Sequence, residues 1–258
     1  MEEILCKINR EKDTHKGENG KVAVIAGSKD YTGAPAIAAK AAYRSGTDLV
    51  KILTSEQIQD TVASYSENLI VSGYSGGYFT EEDVDQAEEL LEWCDAAVIG
   101  PGLSQPEPGA VKQLLEKTDA PVIVDADAIE PAAERDRDNV VFAPHKGEKK
   151  HIEDRSSSVE DFATEDRVVV VKGKVDKIYS EKRYTSRTGS AAMTVGGTGD
   201  MLAGIIAALI SQGLSLTEAS RLGVWLNGKA GEKAAEAYGN GALPTDMIEE
   251  IPKILFQL

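Results

Sequence analysis

A chain of 258 residues with 41% hydrophobic and only 5% aromatic side chains has apolar material for one large α/β core, and its 24 glycines suit tight connections better than an aromatic-rich sandwich. A net charge of −15 repels polyanions over the whole surface, which excludes a general nucleic-acid or acidic-membrane role and leaves phosphate to be captured locally. Two cysteines, Cys6 and Cys94, without CxxC spacing exclude a disulfide framework and read as ordinary reduced thiols. The charged start of the chain carries no apolar signal core, and the longest apolar stretch, 201–210, falls far short of the roughly 20 residues of a membrane span. A cytoplasmic location is the resulting expectation.

In chain order, β-branched and alanine runs at 22–26, 49–53, 96–99, 122–125, 140–143 and 168–171 predict strands apolar on both faces. Helical patterns at 34–45, 81–93 and 110–117 separate them, with Pro35 at the first helical position. Gly-rich 72–77 and Ser156-Ser157-Ser158 read as surface loops. Buried strands alternating with helices predict a mostly parallel sheet covered on both faces, a three-layer α/β fold in a single domain spanning 1–258. Segments 176–180 and 183–186, joined by Glu181-Lys182, predict an antiparallel appendage. Helices at 198–212, 217–238 and 245–256 follow, each read as starting at a threonine.

The motifs lie where those strands end. In Gly196-Gly197-Thr198-Gly199-Asp200, glycines turn the backbone so that successive N–H groups point at one spot, just as an apolar helix begins; such a nest binds an anion. Asp200 then stands in the first turn, able to act as general base on a hydroxyl attacking a phosphoryl group held there, or merely to favour the helix start. Lys172-Gly173-Lys174-Val175-Asp176 closes another strand and suits a nucleotide phosphate or ribose, or is a plain β-turn with solvated lysines. His145, in Pro144-His145-Lys146-Gly147-Glu148, follows a strand as His15 and His151 do not, yet a lone loop histidine is as readily a surface residue. Asp125 and Asp127 would orient Mg²⁺ through water or hydrogen-bond loop backbone. Gly102 in Gly100-Pro101-Gly102 permits close approach of a substrate or is simply part of a turn, and the small residues of 27–35 leave room for a flat ligand. The string 223–230 imitates a P-loop, but Ala230 lacks the Mg²⁺-binding hydroxyl and the segment reads as helix. Parallel sheets collect their sites at the carboxyl ends of strands, so five such loops are expected to share one cleft.

Together, YTGAPAIAAKAAYRSGTDLVK, VIGPGLS, PVIVDADAI, APHKGE, VVVVKGKVD and MTVGGTGDMLAGIIAALISQG resemble the ribokinase-like family of ADP/ATP-dependent NAD(P)H-hydrate dehydratases, in order and over nearly the whole chain. The resemblance implies transfer of the nucleotide's terminal phosphoryl group to the ring hydroxyl of the S-epimer of hydrated NADH or NADPH (NADHX or NADPHX), then loss of phosphate: a lyase of metabolite repair. It implies Asp200 as base and the amides of Gly197, Thr198 and Gly199 as anion hole. It places Ala34, Gly102, His145 and Asp200 on the dinucleotide, and Lys172, Gly173, Lys174, Val175 and Asp176, with Gly199, on ADP or ATP carrying Mg²⁺. The family also suggests a homo-oligomer, a tetramer, and the lack of an upstream epimerase domain leads to the expectation of a separate epimerase or spontaneous epimerisation. Two departures stand out: Thr188-Gly189-Ser190 where the family often has asparagine third, and the charged stretch 149–159, for which no family counterpart is apparent. The competing readings are an ATP-dependent kinase of a small alcohol or vitamin precursor on the same fold, and a non-catalytic nucleotide-binding sensor. A sensor has no need of a base at position 200.

Overall fold

Strands without polar alternation must be covered on both faces, and they are. The computed structural model describes residues 1–8, 10 and 13–256. Its strands are β1 (Lys21–Ile25), β2 (Leu49–Ser55), β3 (Ile70–Tyr74), β4 (Ala96–Ile99), β5 (Val122–Val124), β6 (Val140–Phe142), β7 (Arg167–Val171), β8 (Asp176–Tyr179) and β9 (Arg183–Ser186). They form one sheet in the order β3-β2-β1-β4-β5-β6-β7-β8-β9. Pairings are parallel from β3 to β7, and β8 and β9 add the expected antiparallel hairpin.

The helices are α1 (Glu2–Leu5), α2 (Ala34–Arg44), α3 (Gln59–Ala63), α4 (Val84–Trp93), α5 (Pro108–Lys117), α6 (Ile129–Ala133), α7 (Lys149–Glu153), α8 (Val159–Phe162), α9 (Thr198–Ser211), α10 (Leu216–Tyr238) and α11 (Pro244–Leu255). Side chains alternate across a strand, so each strand feeds two cores. Val22, Val24 and Ala26 pack in one core with α2, α9, α10 and α11. Ala23 and Ile25 pack in the other, with α4, α5, α6 and the apolar residues Ile152, Val159 and Phe162. The result is the three-layer α/β architecture anticipated from the strand pattern. Helix α9 is buried from Met201 to Ile210 and crosses α2 so closely that a Cβ on Gly204 would lie 2.1 Å from the Ala38 carbonyl oxygen.

Several details differ from the sequence reading, which places none of the short helices α1, α3, α6, α7 and α8. The stretch taken as a Gly-rich loop begins within β3, an edge strand; its half-exposed residues and Gly73 hide the pattern, and Gly73 is there because a Cβ would meet the Glu56 backbone at 2.8 Å. Helix α9 begins at Thr198 as read, behind the N-cap Gly197, but α10 and α11 begin one residue before their threonines, at Leu216 and Pro244, behind Ser215 and Leu243. Pro35 occupies the second helical position, Ala34 the first, where a missing N–H is equally harmless. The P-loop imitation lies wholly inside α10, as expected. The charged stretch 149–159 folds as α7, a turn, and the Ser158-capped start of α8.

Between β1 and β4 the strand order reverses: β1 leads outward to β2 while β4 leads the other way to β5. The connections leaving two such strands run on in opposite directions, and the crevice at the strands' carboxyl ends is where open parallel sheets bind ligands.

Candidate active site

At that reversal the loops after β1 and β4 are tied together. Gly27, at φ +80°, donates its N–H to the Pro101 carbonyl at 2.8 Å, and the buried Tyr74 hydroxyl donates to the Gly27 carbonyl at 2.7 Å. Gly102 sits at φ +65°, and a Cβ there would lie 2.8 Å from Tyr31 Cβ and 3.1 Å from Ala34 Cβ. Two residues predicted to meet substrate, Ala34 and Gly102, are therefore neighbours although 68 positions apart in sequence (102 − 34). Gly100 brings the next loop in: a side chain on it would run into the Asp125 carbonyl.

Asp125, fully buried just after β5, pairs across β6 with Lys172 at the end of β7, Nζ to Oδ1 2.5 Å. Burial works against the lysine's charge, but Asp125, with Glu148 and Asp200, holds its pKa above the ordinary lysine value. The start of α9 lies on this pair: a Cβ on Gly199 would stand 3.1 Å from Lys172 Nζ and 3.5 Å from Asp125 Oδ2. Gly197, left-handed at φ +98°, is the N-cap, and no side chain caps this helix. Its first amides therefore keep their donors for something else. Asp200 is half-buried beside them. Burial first, then the Asp125 and Asp127 carboxylates, push its pKa up to about 6 against the pull of Lys172. A carboxylate with that pKa is a competent base at neutral pH. The Thr198 hydroxyl is taken up by the chain itself, donating to the Met193 and Val195 carbonyls at 3.2 and 3.4 Å.

His145 extends the row. Its backbone bridges Lys172 in parallel fashion, and Glu148 accepts the His145 amide at 2.8 Å. The imidazole Nδ1 accepts the amides of Gly147 and Glu148 at 2.9 and 3.0 Å, and Nε2 lies 3.4 Å from Glu148 Oε1. The side chain is 60% exposed, as a residue awaiting a ligand or facing water would be. Along 172–176 the Asp176 carboxylate closes the loop by accepting the Gly173 amide at 2.8 Å, and burial raises its pKa. Gly173 and Lys174 are exposed and Val175 lies half-buried between them and β8.

The structure thus brings together Asp200, Gly199, Lys172 and His145 in one row, and Ala34 with Gly102 in an adjoining corner. Gly197 joins the two, since a Cβ on it would touch Ile37 Cδ1 of α2 at 2.8 Å. The partnership of Asp125 with Lys172 escaped the sequence reading, because nothing local links the ends of β5 and β7. Asp127 turns out to accept the Ser104 amide at 2.8 Å. Among the described residues no group of three His, Cys, Asp or Glu side chains stands together as a metal cage. With Asp125 held by Lys172 and Asp127 by backbone, the donor set suits a Mg²⁺ that arrives on nucleotide phosphates with its own waters, not one locked in protein. A cavity of about 310 Å³ lined by Ser104, Asp127 and Glu148 opens beside the row. The larger cavity, about 630 Å³, lies at the other edge of the sheet against Pro121, Tyr184 and Arg221, far from these groups. No helix among the described residues is long and apolar enough to cross a membrane.

Comparison with known proteins agrees with the geometry. The family model for NAD(P)H-hydrate dehydratase matches residues 22–253. A relative from Natrialba magadii named ADP-dependent (S)-NAD(P)H-hydrate dehydratase is 43% identical over 99% of this chain and 98% of its own. The Bacillus subtilis ADP/ATP-dependent NAD(P)H-hydrate dehydratase, co-crystallised with ATP and Mg²⁺, superposes with a TM-score of 0.81 at 26% identity, covering 99% of this chain and 96% of that one. A ribokinase-like superfamily protein from Enterococcus faecalis shares the fold with a TM-score of 0.87 at 23% identity over 100% and 94% of the two chains. A strand-end row of uncapped amides, a lysine and a raised carboxyl stands on a sheet whose family model covers residues 22–253 and whose relative matches over 99% of the chain: the chain belongs to the NAD(P)H-hydrate dehydratase family.

Proposed function

We propose that this chain, as a single α/β domain, uses ADP or ATP to return the S-epimer of hydrated NADH or NADPH to the reduced dinucleotide. One observation carries the reading: a half-buried carboxyl with its pKa near 6, Asp200, stands in the first turn of the uncapped helix and beside Lys172. In the proposed reaction the ring hydroxyl of the hydrate attacks the terminal phosphorus while Asp200 takes its proton, and the phosphoanhydride bond breaks to release the shortened nucleotide. The carbon–oxygen bond then breaks, inorganic phosphate leaves with that oxygen, and loss of a ring proton restores the double bond. The amides of Gly197, Thr198 and Gly199 would hold the moving phosphoryl group, stabilising charge as it develops. Lys172, neutralised at rest by Asp125, would turn part of its charge to a nucleotide phosphate, with Gly173, Lys174, Val175 and Asp176 along the nucleotide. Ala34, Gly102 and the exposed imidazole of His145 would meet the dinucleotide. Mg²⁺ on the nucleotide would neutralise phosphate charge. The proposal includes a cytoplasmic homo-oligomer.

The test is recovery of reduced-nicotinamide absorbance from hydrated NADH with ADP and, separately, ATP. Regained absorbance with stoichiometric free phosphate is the expected result. A stable phosphorylated product without regained absorbance would mean a kinase instead.

A further inference from the structure

The loop between β1 and α2 carries a large side chain that the chemistry above leaves unused. Tyr31 is 56% exposed, yet its backbone is held: its amide donates to the Ser28 carbonyl at 3.0 Å, and its carbonyl accepts the Ser28 amide at 3.4 Å. Neighbouring Asp30 is pinned twice, accepting from the Tyr78 hydroxyl at 2.8 Å and the Ser104 hydroxyl at 3.2 Å. The Lys29 amide donates to the Gly77 carbonyl at 3.0 Å. Three loops therefore brace the backbone beneath a ring that water still reaches. The ring begins directly over Gly102: the place of a Cβ on that glycine is 3.6 Å from Tyr31 Cγ and, as above, within contact of the Ala34 methyl. An aromatic side chain, a bare stretch of backbone and a methyl group enclose one apolar corner at the strand-order reversal. A braced, water-exposed aromatic face beside a small-residue floor is suited to a flat heterocycle, which gains from stacking and needs no side chain beneath it.

We propose that Tyr31 is a further substrate-binding residue, its ring forming a stacking wall beside Gly102 and Ala34 for a planar heterocycle of the dinucleotide. This rests on the dehydratase reading. The adenine and the conjugated part of the hydrated nicotinamide offer the same flat face, and the truncated substrate below separates them.

The experiment is steady-state kinetics of the wild-type protein, Tyr31→Ala and Tyr31→Phe at saturating ADP. Base–aromatic stacking is worth about 1–3 kcal/mol, so Tyr31→Ala is expected to raise KM for hydrated NADH roughly 5- to 100-fold. KM for ADP stays put, kcat changes little, and Tyr31→Phe restores the wild-type value. With hydrated nicotinamide mononucleotide, persistence of the effect assigns the wall to the nicotinamide end and its disappearance to adenine; both support the stacking wall. An unchanged KM in Tyr31→Ala overturns it, as does an equal loss in Tyr31→Phe. So does a change of sedimentation mass without a change of KM, which would make the ring a subunit contact. Wild-type protein that leaves the hydrate untouched would instead sink the dehydratase reading itself.

Discussion

Two long helices of the same core begin in opposite ways. Helix α10 starts with a complete capping box: the Ser215 hydroxyl accepts the Glu218 amide at 3.3 Å, and the Glu218 carboxylate accepts the Ser215 amide at 3.4 Å. Helix α9 starts at a left-handed glycine with no side-chain cap and with a carboxyl whose charge its surroundings disfavour. The first satisfies its orphan amides from within the chain and so is finished. The second leaves them open at the carboxyl edge of the sheet, beside Lys172, and relies on the almost wholly buried run from Met201 to Ile210 to hold the helix in place. A helix start left unsatisfied next to a destabilised carboxyl costs folding free energy, and a protein keeps that arrangement where a ligand will complete it.

The contrast can be broken most sharply at Asp200. Asp200→Asn should lower kcat on the hydrate by about 10²- to 10⁴-fold, the usual reach of a positioned base, while nucleotide binding measured by calorimetry survives. Full turnover in that variant would end the proposed mechanism. In the wild type, kcat/KM should fall as pH drops through about 6, where Asp200 takes up its proton.

Next in size is Gly197→Ala. A side chain there meets Ile37 at 2.8 Å and Pro244 at 3.0 Å from a backbone at φ +98°, so chemical denaturation should show a loss of about 1–3 kcal/mol together with lost activity. A silent outcome would mean that the left-handed cap is not required.

A smaller effect of opposite sign concerns stability at Asp200. Burial pushes its carboxyl up to about 6 in the fold, above the ordinary aspartate value of about 3.9. Stability from the protonated group is therefore complete below about pH 4 and lost as pH rises through about 6. Asp200→Asn should accordingly be the more stable protein at pH 8, by on the order of 1–2 kcal/mol, with the gap closing below about pH 4. Thermal melts across pH decide it; a variant less stable at pH 8 would contradict the strain assigned to α9.

Smallest is Ser215→Ala, which should cost roughly 0.5–1 kcal/mol because both bonds of the box are long, and should leave kcat and KM alone. Activity lost there would erase the distinction between the two helix starts.

The strand and helix periodicities were readable because burial on both faces demands uninterrupted Val, Ile and Ala, as in Val168–Val171. β3 was not, since an edge strand with one exposed flank and a glycine carries little of that pattern. At the site, Asp200, Gly199 and Lys172 could be singled out from glycine nests and strand ends. Asp125 was assigned only a metal-orienting or loop-bonding part, and Tyr31 none, because their roles arise from partners 47 and 71 positions away, Lys172 and Gly102.

What the amino-acid order determined alone was therefore everything with a short period or a local backbone demand: buried strands, amphipathic helices, the positive-φ glycines and the polarity of each loop. Only the tertiary structure decided which loops meet. Strand order sets that, and strand order depends on crossovers whose cost and reward are spread over the whole sheet. It is this folding that sets Lys172 against Asp125, lifts the pKa of Asp200, and lays Tyr31 over the bare backbone of Gly102.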